Sequence, residues 1–71
     1  MKTDPAAKVR IRPMTSADVH AVAGIEHEAF TTPWQAETFE GLIGREGMEL
    51  LVMENPEGTV VGYAVLWCIL D

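Results

Sequence analysis

From Val9 to Pro13, apolar Val9 and Ile11 alternate with Arg10 and Arg12, the period of two expected of a strand with one solvated face, and Pro13 closes it. Thr15-Ser16-Ala17-Asp18 fits a capping box, in which a hydroxyl and an acid three residues later satisfy free amides at a helix start. A helix over 16–30 follows. Stepping ~100° per residue gathers Val19, Val22, Ala23, Ala29 and Phe30 into one sector, with Glu26 in its middle and His20 and His27 on its flank. Thr32-Pro33-Trp34-Gln35 is a second start signal, for a helix over 33–43 whose apolar stripe is Phe39, Leu42 and Ile43. Gly44 suits the left-handed cap that would end it. Residues 48–54 then read as an apolar strand, Asn55-Pro56-Glu57-Gly58 as a turn, and 59–70 as a long strand antiparallel to the first. Gly62 interrupts that strand, where a missing side chain marks a bulge or a close backbone approach.

The element order is therefore strand, helix, helix, strand, strand, an α+β arrangement. The last strand is apolar on both faces, which belongs inside a sheet covered from both sides. Two helices and a polar leader over 1–8 do not suffice for that cover. The expectation is the front part of a larger domain, with the last strand available for pairing with a second copy.

Length agrees: 71 residues make one small domain at most. With 48% hydrophobic and 23% charged residues the composition is globular. A single cysteine, Cys68, excludes an internal disulfide and a cysteine-based structural zinc, which fits a reducing cytoplasm. The longest apolar stretch, 59–70, is 12 residues against the ~20 of a membrane span. The net charge is −6, and four of the five basic residues, Lys2, Lys8, Arg10 and Arg12, fall in the first twelve positions. An acidic body repels phosphate backbones and anionic lipids, so nucleic acid and membrane are not expected partners; the acidity either favours basic protein partners or serves only to keep the chain in solution.

The pattern resembles the Gcn5-related N-acetyltransferase (GNAT) family over residues 9–71. Ile11-Arg12-Pro13-Met14, Ile25-Glu26, Ala29-Phe30, Pro33-Trp34 and Val61-Gly62-Tyr63-Ala64 carry the resemblance, and look most like the branch that acetylates the N-terminal alanine of a ribosomal small-subunit protein. The opening segment and the Val-Gly-aromatic-Ala segment occur across the superfamily; the loop ending in Pro-Trp is more specific. The resemblance implies the N-terminal β-α-α-β-β portion of a mixed sheet, and transfer of acetyl from acetyl coenzyme A to a protein α-amine by direct attack on the thioester. The family's pyrophosphate loop, a glycine motif opening a helix after the next strand, has no counterpart in this sequence, so no cofactor-binding residue is assigned and the chain alone is expected to be inactive. The glutamate base and tyrosine acid of such enzymes would lie beyond Asp71, so no catalytic residue is assigned either.

The resemblance makes the loop Phe30 to Trp34 the border of the acceptor-peptide groove, with Trp34 as an apolar wall and Phe30 beside it. Alternatively, both aromatics plug the junction between the helices. Glu26, on the apolar side of its helix, needs compensation. It either accepts backbone amides at Thr31–Thr32 or faces the groove and attracts the cationic terminus of the substrate. Phe30, Trp34 and Glu26 are the candidate substrate-binding residues. His20 and His27, two turns apart, read as solvated rather than as metal ligands. Cys68 reads as a core thiol, and Met48 and Met53 as core fillers.

Overall fold

Burying the apolar stripes of two short helices against one face of a sheet produces the architecture found in the computed structural model, which describes residues 8–69. The elements are β1 (Arg10–Pro13), a 3-10 turn (Ser16–Asp18), α1 (Val19–Ala29), α2 (Ala36–Leu42), β2 (Met48–Glu54) and β3 (Val60–Trp67). The sheet order is β1-β2-β3 and both pairings are antiparallel. Two helices on a three-stranded antiparallel sheet are compatible with part of a GNAT fold. A mixed sheet would need a parallel neighbour, and the described residues contain none.

Register decides which side chains meet. Arg12 pairs with Val52 and Val52 with Tyr63, while Leu50 pairs with Val65, so these residues share the face beneath the helices. The core there is Met14, Val19, Val22, Phe39, Leu50 and Val52, with Val60, Tyr63 and Val65 packed against it. Ile11, Leu51, Met53, Ala64 and Leu66 alternate onto the opposite face, where Ile11, Met53 and Leu66 are exposed. Met53 is thus not a core filler, whereas Met48 is half-buried against the core.

The first helix starts with the acid half of the capping box: the Thr15 N–H donates to Asp18 Oδ2 at 2.8 Å, the Thr15 hydroxyl donates to the same oxygen at 3.1 Å, and the Asp18 N–H donates to the Thr15 backbone carbonyl at 2.9 Å. Its first three residues wind as a 3-10 turn before α1 proper. At the other end α1 stops at Ala29, and Phe30 is extended (φ −130°, ψ 147°). Ala29 and Phe30 are exposed rather than part of the buried sector: Ala29 is the last helical residue and Phe30, its cap, has left the helical path.

α2 begins at Ala36, three residues later than Thr32-Pro33 suggests, with Gln35 as its N-cap. The reason is tertiary: the Trp34 amide is drawn to the Glu26 carboxylate, which holds Pro33 and Trp34 out of the helix. Gly44 takes the left-handed conformation expected of it (φ +80°).

In the hairpin, Asn55 Oδ1 accepts the amides of Glu57 (3.1 Å) and Thr59 (2.8 Å), an Asx arrangement that organises the turn. Met53 pairs with Gly62 but Glu54 with Val60, so Val61 is the extra residue of a bulge beside Gly62. β3 has β2 on one side and is an edge strand among the described residues. Past its end Cys68 is exposed, contrary to the expectation of a core thiol, because it follows the last strand residue on a stretch where Leu66, Trp67 and Ile69 are exposed as well. β3 ends at Trp67, with Cys68 and Ile69 outside it, short of the expected strand end at Leu70; Leu70 itself and the leader apart from Lys8 lie outside the described residues. His20 and His27 are exposed as expected. No helix among the described residues is long and apolar enough to cross a membrane.

Candidate functional site

On α1, Glu26 lies one turn beyond Val22 on the buried stripe, and only 7% of it is exposed. A carboxylate buried there needs donors. It has two: the Trp34 N–H donates to Oε2 at 3.0 Å, and the Tyr63 hydroxyl donates to Oε1. Each carboxylate oxygen thus holds one neutral donor. No lysine, arginine or histidine is ion-paired with Glu26 among the described residues.

Tyr63 is placed by the β3 alternation that also points Val65 under the helices. Burial first, and then the bond to Glu26, pushes its phenol up to about 12. At neutral pH it is therefore a fixed donor. Phe39, fully buried, meets Tyr63 edge-on at 5.5 Å, and on its other side meets Trp34 at 5.4 Å. Trp34, Phe39 and Tyr63 form a continuous aromatic row from surface to sheet.

Above Glu26 opens a cavity of about 700 Å³, walled by Ile25, Phe30, Trp34 and the Gly62–Val65 stretch of β3. Phe30 (56% exposed) and Trp34 (43%) form its rim. An apolar bowl with one carboxylate in its wall can accept a small cationic group attached to an apolar or peptide body. Phe30, Trp34 and Glu26, the three residues singled out from the sequence, thus converge on one cavity. Glu26 accepts a backbone amide, as one of its two readings expects, but that of Trp34 rather than of Thr31 or Thr32; it also lines the cavity.

The sequence reading missed the role of Tyr63. Its signal was present: an acid on the apolar stripe requires a donor, and the chain holds a single tyrosine, on the last strand.

Over 65 residues, 90% of the chain, the sequence is 32% identical to a Bacillus subtilis (strain 168) protein named putative ribosomal protein bS18-alanine N-acetyltransferase. The chain spans 42% of the length of that relative. No family model and no solved structure matches the sequence. The similarity is at the level of acetyltransferase relatedness, over a segment.

Acetyl coenzyme A, the donor that such relatedness implies, carries a pyrophosphate that requires converging backbone amides at a helix start. The described residues do not fit it. Left-handed glycines Gly44, Gly47 and Gly58 all precede strands, not helices. Nor do the described residues contain a group of three His, Cys, Asp or Glu able to hold a metal ion.

Proposed function

We propose that this chain is the acceptor-side part of an N-acetyltransferase of the Gcn5-related type. Its substrate would be the α-amine of a basic protein N terminus, of the ribosomal-protein alanine kind named for the Bacillus subtilis relative. The observation that carries the reading is the Glu26 carboxylate, paired with no cation among the described residues and opening on a cavity rimmed by Phe30 and Trp34. An α-amine enters as a cation; Glu26 attracts it while the aromatic rim covers the first residue of the peptide. The net charge of −6 favours approach of a basic peptide over an acidic one. Acetyl coenzyme A would supply the acetyl group: after the ammonium gives a proton to water, the neutral amine would attack the thioester carbonyl, form the amide and release the coenzyme A thiol. On this reading the 71-residue chain alone gives no saturable binding of the cofactor and no turnover.

The test is titration of the chain with a basic hexapeptide beginning with alanine, in parallel with its N-acetylated form, followed through the Trp34 amide signal. The free amine should bind and the acetylated peptide should bind several-fold more weakly. Equal affinity for the two peptides would overturn the assignment.

A second reading, a non-enzymatic interaction module that pairs through its last strand, is favoured by one observation. Trp67 (74% exposed) and Ile69 (73%) stand at the end of an edge strand, with Leu66 exposed on its other face.

A further inference from the structure

We propose that Tyr63 is the positioning residue of the amine site, its hydroxyl holding Glu26 in the one rotamer that presents the carboxylate to the cavity. This rests on the reading of Glu26 as the receptor for an α-amine. A glutamate on a helix has three side-chain torsions, and a free one would spread over many rotamers. Glu26 is held from two directions. The Trp34 N–H fixes Oε2 from the loop side, and the Tyr63 hydroxyl fixes Oε1 from the sheet.

The two holds differ in kind. Trp34 offers a backbone amide on a loop, whereas Tyr63 projects from a strand paired along its length with β2 and is braced edge-on by the buried Phe39. The sheet therefore supplies the rigid reference. Each hydrogen bond uses one lone pair per oxygen, and a carboxylate has about four acceptor positions in all. The remaining lone pairs are free for the two or three N–H groups of an ammonium. Because the phenol stays protonated to well above neutral pH, it donates throughout the range in which an α-amine is cationic. Tyr63 thus adds no charge that would compete with the ligand.

The test compares wild type, Tyr63→Phe, Glu26→Gln and the double variant, each titrated with the alanine-initiated hexapeptide and with its N-acetylated form. Thermal melts establish that each is folded. Removing the hydroxyl should lower the free-amine affinity several-fold while leaving that of the acetylated peptide within twofold. In the Glu26→Gln background the same removal should have no further effect, since there is no longer a carboxylate to hold. A tyrosine that served only the packing would weaken both peptides equally, and that result would overturn the proposal. So would an unchanged free-amine affinity in a folded Tyr63→Phe chain. If Glu26→Gln itself leaves the ratio of the two affinities unchanged, the amine site fails, and the proposal about Tyr63 fails with it. If only Tyr63→Phe leaves the ratio unchanged, the site stands and the positioning role alone is refuted.

Discussion

Arg12 grips Asp18 with both terminal nitrogens, at 2.8 and 2.9 Å, and through one of them also reaches Glu54 at 3.2 Å. A fork of this kind ties the first strand to the first helix start and to the end of β2. Asp18 is buried, and the Arg12 hydrogen bonds, with the Thr15 amide and hydroxyl adding to them, hold its carboxyl well below its ordinary 3.8 against the opposing effect of burial.

We predict an acid-labile fold whose lability depends on Asp18. With its carboxyl depressed in the folded state, the stabilisation is fully present above about pH 4, the ordinary carboxylate value, and is lost as pH falls further toward the folded value. Asp18→Asn should cost ~1–3 kcal/mol at pH 7, where charge-assisted hydrogen bonds are lost, and should flatten the acid limb. Urea titrations at pH 7 and pH 3 measure both. An Asp18→Asn chain that keeps the wild-type acid profile would show that other carboxylates control it.

At the alkaline end the sign reverses. The Tyr63 phenol is raised from 10 to about 12, so its contribution is fully present below pH 10 and is lost as pH rises through 12. Glu26→Gln removes the hydrogen-bonded carboxylate but not the burial, and should move the phenol part of the way back toward 10. Tyrosinate absorbance against pH reads this directly. A phenol that titrates unchanged in the Glu26→Gln chain would mean that Glu26 is not its partner in solution.

Two phenylalanines should behave oppositely. Phe39 is fully buried between Trp34 and Tyr63, so Phe39→Ala should cost ~3–5 kcal/mol, enough to unfold a marginal domain. Phe30 is over half exposed, so Phe30→Ala should stay within ~1 kcal/mol and act on peptide affinity instead. Thermal melts of both variants would reveal an inverted ranking if Phe30 packs more tightly than its exposure indicates.

Association through β3 is the fourth expectation. The strand leaves one backbone edge unpaired among the described residues and exposes Val61, Leu66 and Trp67. Covering each large apolar side chain is worth ~1.5–3 kcal/mol, comparable in sum with the stability of a small domain. Sedimentation from micromolar concentration upward should show dimers or larger species, and Trp67→Lys should shift them toward monomer. A monomer whose melting temperature is independent of concentration would remove this expectation.

What the sequence by itself determined is the part ruled by neighbours in the chain. The order of elements, the bounds of β2, the capping box of Thr15 with Asp18, the turn at Asn55 and the left-handed Gly44 depend on side-chain period and on hydrogen bonds spanning a few residues. Phe30, Trp34 and Glu26 were also legible as candidates, because a carboxylate on an apolar stripe and aromatics at a helix junction are local anomalies. Partners were not legible. Arg12, by alternation a solvated side chain, is claimed by Glu54 across 42 positions, and Glu26 by Tyr63 across 37. The late start of α2 follows from the same cause, since the Trp34 amide serves Glu26 rather than a helix cap. Met53 is exposed because the register puts it on the face opposite the helices, and Cys68 because it lies past the end of β3. Local period states which side chains share a face; only the packed sheet and helices decide which face is covered and what a side chain meets there, because burial and ion pairing are properties of surfaces brought together from distant parts of the chain.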